Sequence, residues 1–196
     1  MLKRSFDFIV SLVALIILSP LLMVIALLVI FDSKGGTFYI QTRVGKNFIP
    51  FGIIKFRTMK PDSDKKGLLT VGRRDSRVTK IGFYLRKYKL DELPQLLNVL
   101  LGDMSFVGPR PEVKKYVDLY SDEQKKVLNV RPGITDNASI HYSNENEILS
   151  KYDDAEKAYI EIIMLAKLKM NLEYLSHRSF AGDLKIILRT VFKTLK

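Results

Sequence analysis

Hydrophobic and polar positions follow three different rhythms along this chain, and each rhythm predicts an element. From Phe8 to Phe31 no side chain is charged, and most are Leu, Ile, Val, Ala or Phe. A helix over those 24 residues would reach roughly 36 Å at about 1.5 Å per residue, enough to cross a hydrocarbon core of about 30 Å. Three features complicate a plain span. Pro20 near the middle removes a backbone donor and predicts a kink. Lys3 and Arg4 before the run, with Lys34, Arg43 and Lys46 after it, pull both ends toward the cytoplasm. Ser19 beside Pro20 offers a hydroxyl to a carbonyl that the proline frees. On the residues alone, a kinked span and a re-entrant hairpin both stand. A cleaved signal peptide fits worse, because the run outlasts a signal core and no small-x-small site closes it.

The second rhythm has a period of two. Thr37 to Gln41 reads as a short strand, Thr42 to Asn47 as a turn and Phe48 to Met59 as a second extended run, together a β-hairpin. Alternation puts Lys55 and Arg57 on one face of the second strand and Ile54 and Phe56 on the other. Two neighbouring cations suit a phosphate, and they equally suit a solvated face.

The third rhythm is helical. Val78, Ile81, Leu85 and Tyr88 recur at helical spacing within Arg77 to Lys89, among Arg73, Arg74, Lys80, Arg86, Lys87 and Lys89, and predict a basic amphipathic helix. The polar stretch before it, Pro61 to Gly72, reads as a mobile loop or lid. A further helix is expected from about Asp91 to Leu101, with Asp91 as N-cap, Pro94 in the first turn and Gly102 as terminator. That assignment places Asp91 and Glu92 at a helix N-terminus. There they either cap the helix or form a site for phosphate and its metal. The chain then reads as a strand leading into Gly108-Pro109-Arg110-Pro111, where two prolines stiffen the backbone around one guanidinium, and Arg131-Pro132-Gly133 repeats the theme. Guanidiniums held in this way suit bidentate phosphate recognition. Ala155 to Leu175 is expected as a structural helix with Tyr159, Ile162, Ile163, Ala166 and Met170 on one side. In the closing segment Phe180, Leu184, Ile187, Leu188, Val191 and Leu195 alternate with Lys185, Arg189, Lys193 and Lys196, which fits either a membrane interface or docking on the body.

Composition narrows the chemistry. The chain has 196 residues, 47% of them hydrophobic, which excludes disorder and leaves room for one core plus an appendage. It has no cysteine, which excludes disulfides, thiol catalysis and Cys-based zinc sites and suits a reducing compartment. A net charge of +11 points to an anionic partner: a nucleic acid, an anionic membrane or a phosphorylated substrate. His141 and His177 stand apart, and no Walker A loop, Gly-x-Gly-x-x-Gly fingerprint or Gly-x-Ser-x-Gly elbow is present. Nucleic-acid binding therefore rests on charge alone.

The run from Asp75 to Pro111, DSRVTKIGFYLRKYKLDELPQLLNVLLGDMSFVGPRP, strongly resembles the bacterial sugar transferase family, the small monotopic phosphoglycosyl transferases of glycan assembly. The likeness extends upstream through Lys55 to Met59, the Arg43 turn and Lys3-Arg4 with Ser19-Pro20, and downstream through Arg131 to Thr135 and the closing helix, Asp183 to Leu195. It implies an α+β chain with a re-entrant helix-break-helix over 1–31. Residues 32–196 would form a compact, mainly helical catalytic domain with a short β-hairpin and amphipathic interfacial helices. It also implies a reaction at the cytoplasmic face of the bacterial inner membrane, in which a phospho-sugar passes from a UDP-sugar to undecaprenyl phosphate with release of UMP. Asp91 would be the nucleophile that forms an aspartyl phospho-sugar, Glu92 its acid/base and positioning partner, and Mg²⁺ near Asp91 the neutraliser of the diphosphate. Lys55, Arg57, Arg86, Arg110 and Arg131 are the basic residues expected to bind substrate. Membrane lipid is an expected partner and nucleic acid is not; downstream glycosyltransferases and a homo-oligomer remain open. The chain departs from the family after Thr135. Many members continue Gly-x-Ala-Gln-Val-Asn-Gly-Arg, whereas this one has Asp136-Asn137-Ala138-Ser139-Ile140-His141-Tyr142-Ser143, which leaves the sugar preference open.

Overall fold

Residues 8–31 carry no charge, so a helix there satisfies every backbone group without water. In the computed structural model, which describes residues 2–63, 69 and 75–194, they lie within one long helix, α1 (Leu2–Asp32). By length and composition α1 is able to cross a membrane. The expected break at Ser19-Pro20 does not interrupt it, because the helix continues through Pro20. The physical reason lies in the local hydrogen bonds. Pro20 has no N–H for the Ile16 carbonyl, and the Ser19 hydroxyl donates to that carbonyl instead, at 2.8 Å. Burial along α1 is concentrated at its ends. Asp7 and Ser11 are buried near one end and Ile25 and Val29 near the other, with no buried residue from Leu12 to Val24.

The hairpin forms as β1 (Phe38–Val44) and β2 (Pro50–Phe56), antiparallel, with Phe38 opposite Phe56 and Val44 opposite Pro50. Its strands pair further into the expected turn, because Asn47 and Phe48 take left-handed φ values of 54° and 64° and reverse the chain within a few residues. α2 (Lys80–Lys87) is capped by Thr79, whose side chain accepts from the Gly82 amide at 3.0 Å. Leu85 of α2 packs with Phe56 and with Ile25 and Val29 of α1. The loop expected over Pro61 to Gly72, with Arg73 and Arg74, falls largely outside the described residues.

After α3 (Gln95–Leu101) come β3 (Ser105–Val107) and the short α4 (Lys114–Val117); β4 (Gly133–Thr135) then pairs parallel with β3. Two facing glycines allow the close approach of these strands. A Cβ on Gly133 would lie 2.2 Å from the Gly108 nitrogen, and one on Gly108 would lie 2.5 Å from the Arg131 carbonyl oxygen. Gly133→Ala is therefore expected to force the strands apart and to cost about 1–3 kcal/mol, the range for overpacking. A lowered urea midpoint in detergent would show this, and an unchanged midpoint would refute it.

The remaining helices build the main core. α5 (Asn137–His141), α6 (Glu145–Leu149) and α7 (Ala155–Ala158) lead through a π-helical turn, Tyr159–Met164, into α8 (Leu165–His177). Tyr159, Ile163, Met164 and Leu168 pack against Val113, Tyr116, Val117, Tyr120, Val127 and Leu128. Of the stripe expected on this helix, Tyr159 and Ile163 are buried but Ile162 is exposed. The π turn advances the buried face, so Met164 and Leu168 take the inner positions. α9 (Phe180–Thr194) docks on the body along one face, the second of the two expectations for the closing segment. Ile186 packs with Val107 and Tyr174, while Leu184, Leu188, Val191 and Phe192 are exposed at i, i+4, i+7 and i+8.

Candidate active site

The most informative stretch of sequence, Leu90 to Gly102, folds in two steps. Leu90–Glu92 forms a 3₁₀ turn entered from Lys89 at φ 57°, and α3 begins only at Gln95. Asp91 is thus not an N-cap, and Pro94 precedes α3 rather than lying in its first turn. The carboxylates stand on the tighter turn before the helix, held by i→i+3 bonds from Leu93 to Leu90 and from Leu97 to Pro94. Gly102 terminates α3 as expected, at φ 98°.

Asp91 and Glu92 are adjacent in sequence and opposite in environment. Glu92 accepts from Lys55 Nζ at 3.2 Å, from Arg110 Nη1 at 3.2 Å and, more closely, from Arg110 Nη2. Burial alone would raise its pKa, but the two cations and their hydrogen bonds hold it well below the usual carboxylate range. Asp91 is 8% exposed, and its Oδ1 has no hydrogen-bond partner. Burial and the neighbouring Glu92 charge push its pKa up, against the pull of Lys55, Lys89 and Arg86. Burial lowers the Lys55 pKa, with Glu92 opposing. The pair therefore combines a neutralised, fully engaged carboxylate with a buried one that has a free oxygen. A free carboxylate oxygen among cations is suited to meet an anionic, electrophilic phosphorus.

A cleft of about 870 Å³ opens over the pair, lined on the near side by Lys55, Phe83, Arg86, Lys87, Lys89, Asp91, Glu92 and Arg110. Lys55, Arg86, Arg110, Asp91 and Glu92 are thereby brought together, although they come from β2, α2, the loop after β3 and the 3₁₀ turn. Arg57 and Arg131 are not brought there. Arg57 donates to the carbonyls of Ser33 at 2.8 Å, Lys34 at 2.5 Å and Gly36 at 2.6 Å, where the chain leaves α1. Arg131 Nε donates to the Gly102 carbonyl at 2.6 Å, just past α3. Both answer the same demand, since carbonyls at a helix C-terminus lack partners and favour a cation. Lys3 and Arg4 act alike at the other end of α1. Lys3 Nζ reaches the Val107 carbonyl at 2.7 Å and Asp183 at 2.5 Å, and Arg4 reaches the carbonyls of Val99 at 2.6 Å and Leu100 at 2.8 Å.

The far wall of the cleft was not legible from sequence. It is made by Ser139 to Glu147, which includes part of the divergent segment, with Lys167 of α8 and Thr190 and Lys193 of α9. One signal was present: Asp136-x-x-Ser139 after a strand is an N-cap pattern, and the Asp136 side chain does cap α5 at the Ser139 amide. Among the described residues no three His, Cys, Asp or Glu side chains gather as a metal cage. The donor set suits a metal of another kind. Mg²⁺ retains waters and takes one or two carboxylates together with substrate phosphates, and the unpartnered Asp91 oxygen has the chemistry of one such carboxylate.

The chain is 37% identical over 197 residues to a UDP-glucose:undecaprenyl-phosphate glucose-1-phosphate transferase of Escherichia coli; the match covers 98% of the chain and 40% of that longer protein. It is 42% identical over 121 residues to a putative undecaprenyl-phosphate N-acetylgalactosaminyl 1-phosphate transferase of Bacillus subtilis, covering 62% of the chain and 68% of the relative. A protein of matching length is the exopolysaccharide production protein PSS of Rhizobium leguminosarum bv. phaseoli, 38% identical over 99% of the chain and 95% of the relative. The family model described as bacterial sugar transferase matches residues 1–196. Asp91, Glu92 and the cations around them thus lie inside a match that runs from the first residue to the last, and the chain belongs to the bacterial sugar transferase family.

Proposed function

We propose that this chain is a phosphoglycosyl transferase that moves a phospho-sugar from a UDP-sugar to undecaprenyl phosphate, releasing UMP, as a membrane step of bacterial glycan assembly. The observation that carries the reading is the buried, unpartnered Asp91 Oδ1 set among Lys55, Arg86 and Arg110 on the floor of the cleft. In the first step an Asp91 carboxylate oxygen bonds to the sugar-bearing phosphorus, the diphosphate P–O bond breaks and UMP leaves. In the second, an oxygen of the lipid phosphate attacks the same phosphorus and Asp91 departs as a carboxylate. Lys55, Arg86 and Arg110 offset the repulsion between a carboxylate and a diphosphate, which otherwise blocks approach. Glu92 holds Lys55 and Arg110 in place beside Asp91, and its depressed pKa keeps it a charged positioning group. Mg²⁺, held by Asp91, would neutralise part of the diphosphate charge.

The membrane reading belongs to the same proposal. Both ends of α1 are fastened to one body, through Lys3 and Arg4 at the start and Arg57 at the end, while the middle carries only lipid-suited side chains. This supports a re-entrant, monotopic helix whose ends share the cytoplasmic face of the inner membrane. The exposed stripe of α9 would lie in the interface.

The test is UMP release by the detergent-purified chain with undecaprenyl phosphate, Mg²⁺ and a panel of UDP-sugars. Release that needs lipid phosphate and metal and favours one donor is expected. Release no higher than that of Asp91→Asn with every donor would overturn the enzyme reading and leave a non-catalytic scaffold of glycan assembly.

A further inference from the structure

We propose that Asp136 is a positioning residue that locks the Arg110 loop to the far wall of the cleft, so that the phosphate clamp and the wall opposite keep one spacing; the inference rests on the transferase reading above. Asp136 is 1% exposed. Its Oδ2 accepts from the Arg110 backbone N–H at 2.9 Å, and its Oδ1 accepts from the Ser139 N–H. β3 and β4 pair through Val107 and Thr135, Gly108 and Pro109 still bond across to Thr135 and Gly133, and past them the chains separate, one to Arg110 and the other into α5. Asp136 closes this fork with one carboxylate oxygen on each branch.

The flanks of this branch are held by other bonds, from the Gly108 N–H to the Thr135 carbonyl at 3.1 Å and from the Gly133 N–H to the Pro109 carbonyl at 3.0 Å, while Arg110 itself is held by its amide. Pro109 and Pro111 have no N–H, so Arg110 carries the only amide donor in that run, and Asp136 takes it. The Arg110 side chain then reaches Glu92, and Glu92 reaches Lys55. One buried carboxylate thereby connects the divergent wall, through Arg110, to the reactive pair.

Asp136→Ser separates the two bonds: a serine hydroxyl caps α5 but is too short to reach Arg110. In the full chain in detergent, the variant is expected to melt near the wild-type temperature and to exchange the Arg110 amide hydrogen about tenfold faster. Its kcat/KM for the preferred UDP-sugar is expected to fall about tenfold. In an Arg110→Lys background the same substitution should cost only about twofold, because the two residues act as one unit. Unchanged exchange overturns the inference, as does an equal cost in both backgrounds. A wild-type chain that releases no UMP overturns the transferase reading instead, and the exchange measurement still decides whether Asp136 holds Arg110.

Discussion

Asp91→Asn is expected to abolish UMP release, by about 10⁴-fold or more on the scale of a lost nucleophile, while the protein stays folded and becomes no less stable. The second half of this expectation comes from burial. Asp91 is nearly out of water with one oxygen unpartnered, so its charge is held at a cost. Its pKa lies above the ordinary aspartate value, raised by burial and by Glu92. The folded chain thus binds this proton more tightly than the unfolded chain does. The contribution to stability is present at acidic pH and is lost as pH rises through the raised value. Asparagine keeps the shape without the charge. Thermal unfolding of variant and wild type should agree at low pH and diverge toward neutrality, with the variant the more stable. A variant less stable than wild type at neutral pH would contradict the account of a strained nucleophile.

Glu92→Gln should have the opposite signature. Glu92 joins Lys55 and Arg110, and removing its charge leaves two cations facing each other in a partly buried site. Breaking such a network from one side typically costs about 3–5 kcal/mol, because the remaining charges lose their compensation. The Glu92 pKa is depressed in the folded state, so its contribution is present above the unfolded value and lost as pH falls through the folded one. The variant should be least stable relative to wild type at neutral pH, and the two should converge in acid. Activity should fall too, since Arg110 and Lys55 lose their common anchor; Asp91 should also ionise more readily without the charge beside it. Denaturant unfolding across pH would separate Glu92→Gln from Asp91→Asn by sign alone.

Much of this site was legible in the residues, and what was not legible failed for identifiable reasons. The hairpin follows from alternation, and Ser19 beside Pro20 correctly pointed to a hydroxyl on a freed carbonyl. Sequence put Asp91 and Glu92 at a helix N-terminus, as caps or as a phosphate site; their setting on a 3₁₀ turn depends on i→i+3 bonding, which helical periodicity does not reveal. Arg110, between two prolines, and Arg57, on a strand, are both read from sequence as phosphate cations. Only the third dimension turns one to Glu92 and the other to the end of α1. The stripe on the long C-terminal helix slipped because a π turn leaves no clear mark in a run such as Tyr159-Ile160-Glu161-Ile162-Ile163-Met164. The far wall of the cleft was unreadable because it gathers part of the divergent segment with Lys167, Thr190 and Lys193 from helices distant in sequence.

The ties of α1 have a mechanical meaning. Arg57, which grips the end of α1, is two residues from Lys55 along the chain, about 7 Å at the rise of a strand. Arg4, at the opposite end, holds the last turn of α3, the helix that follows the reactive pair, and Lys3 holds Val107, three residues before Arg110. The helix is thus a two-footed strut whose feet stand on the segments that carry the site. If it rests in a bilayer, its depth fixes how high Asp91 stands above the lipid headgroups. A thicker or thinner membrane would then be felt at the reacting carboxylate as a change in reach.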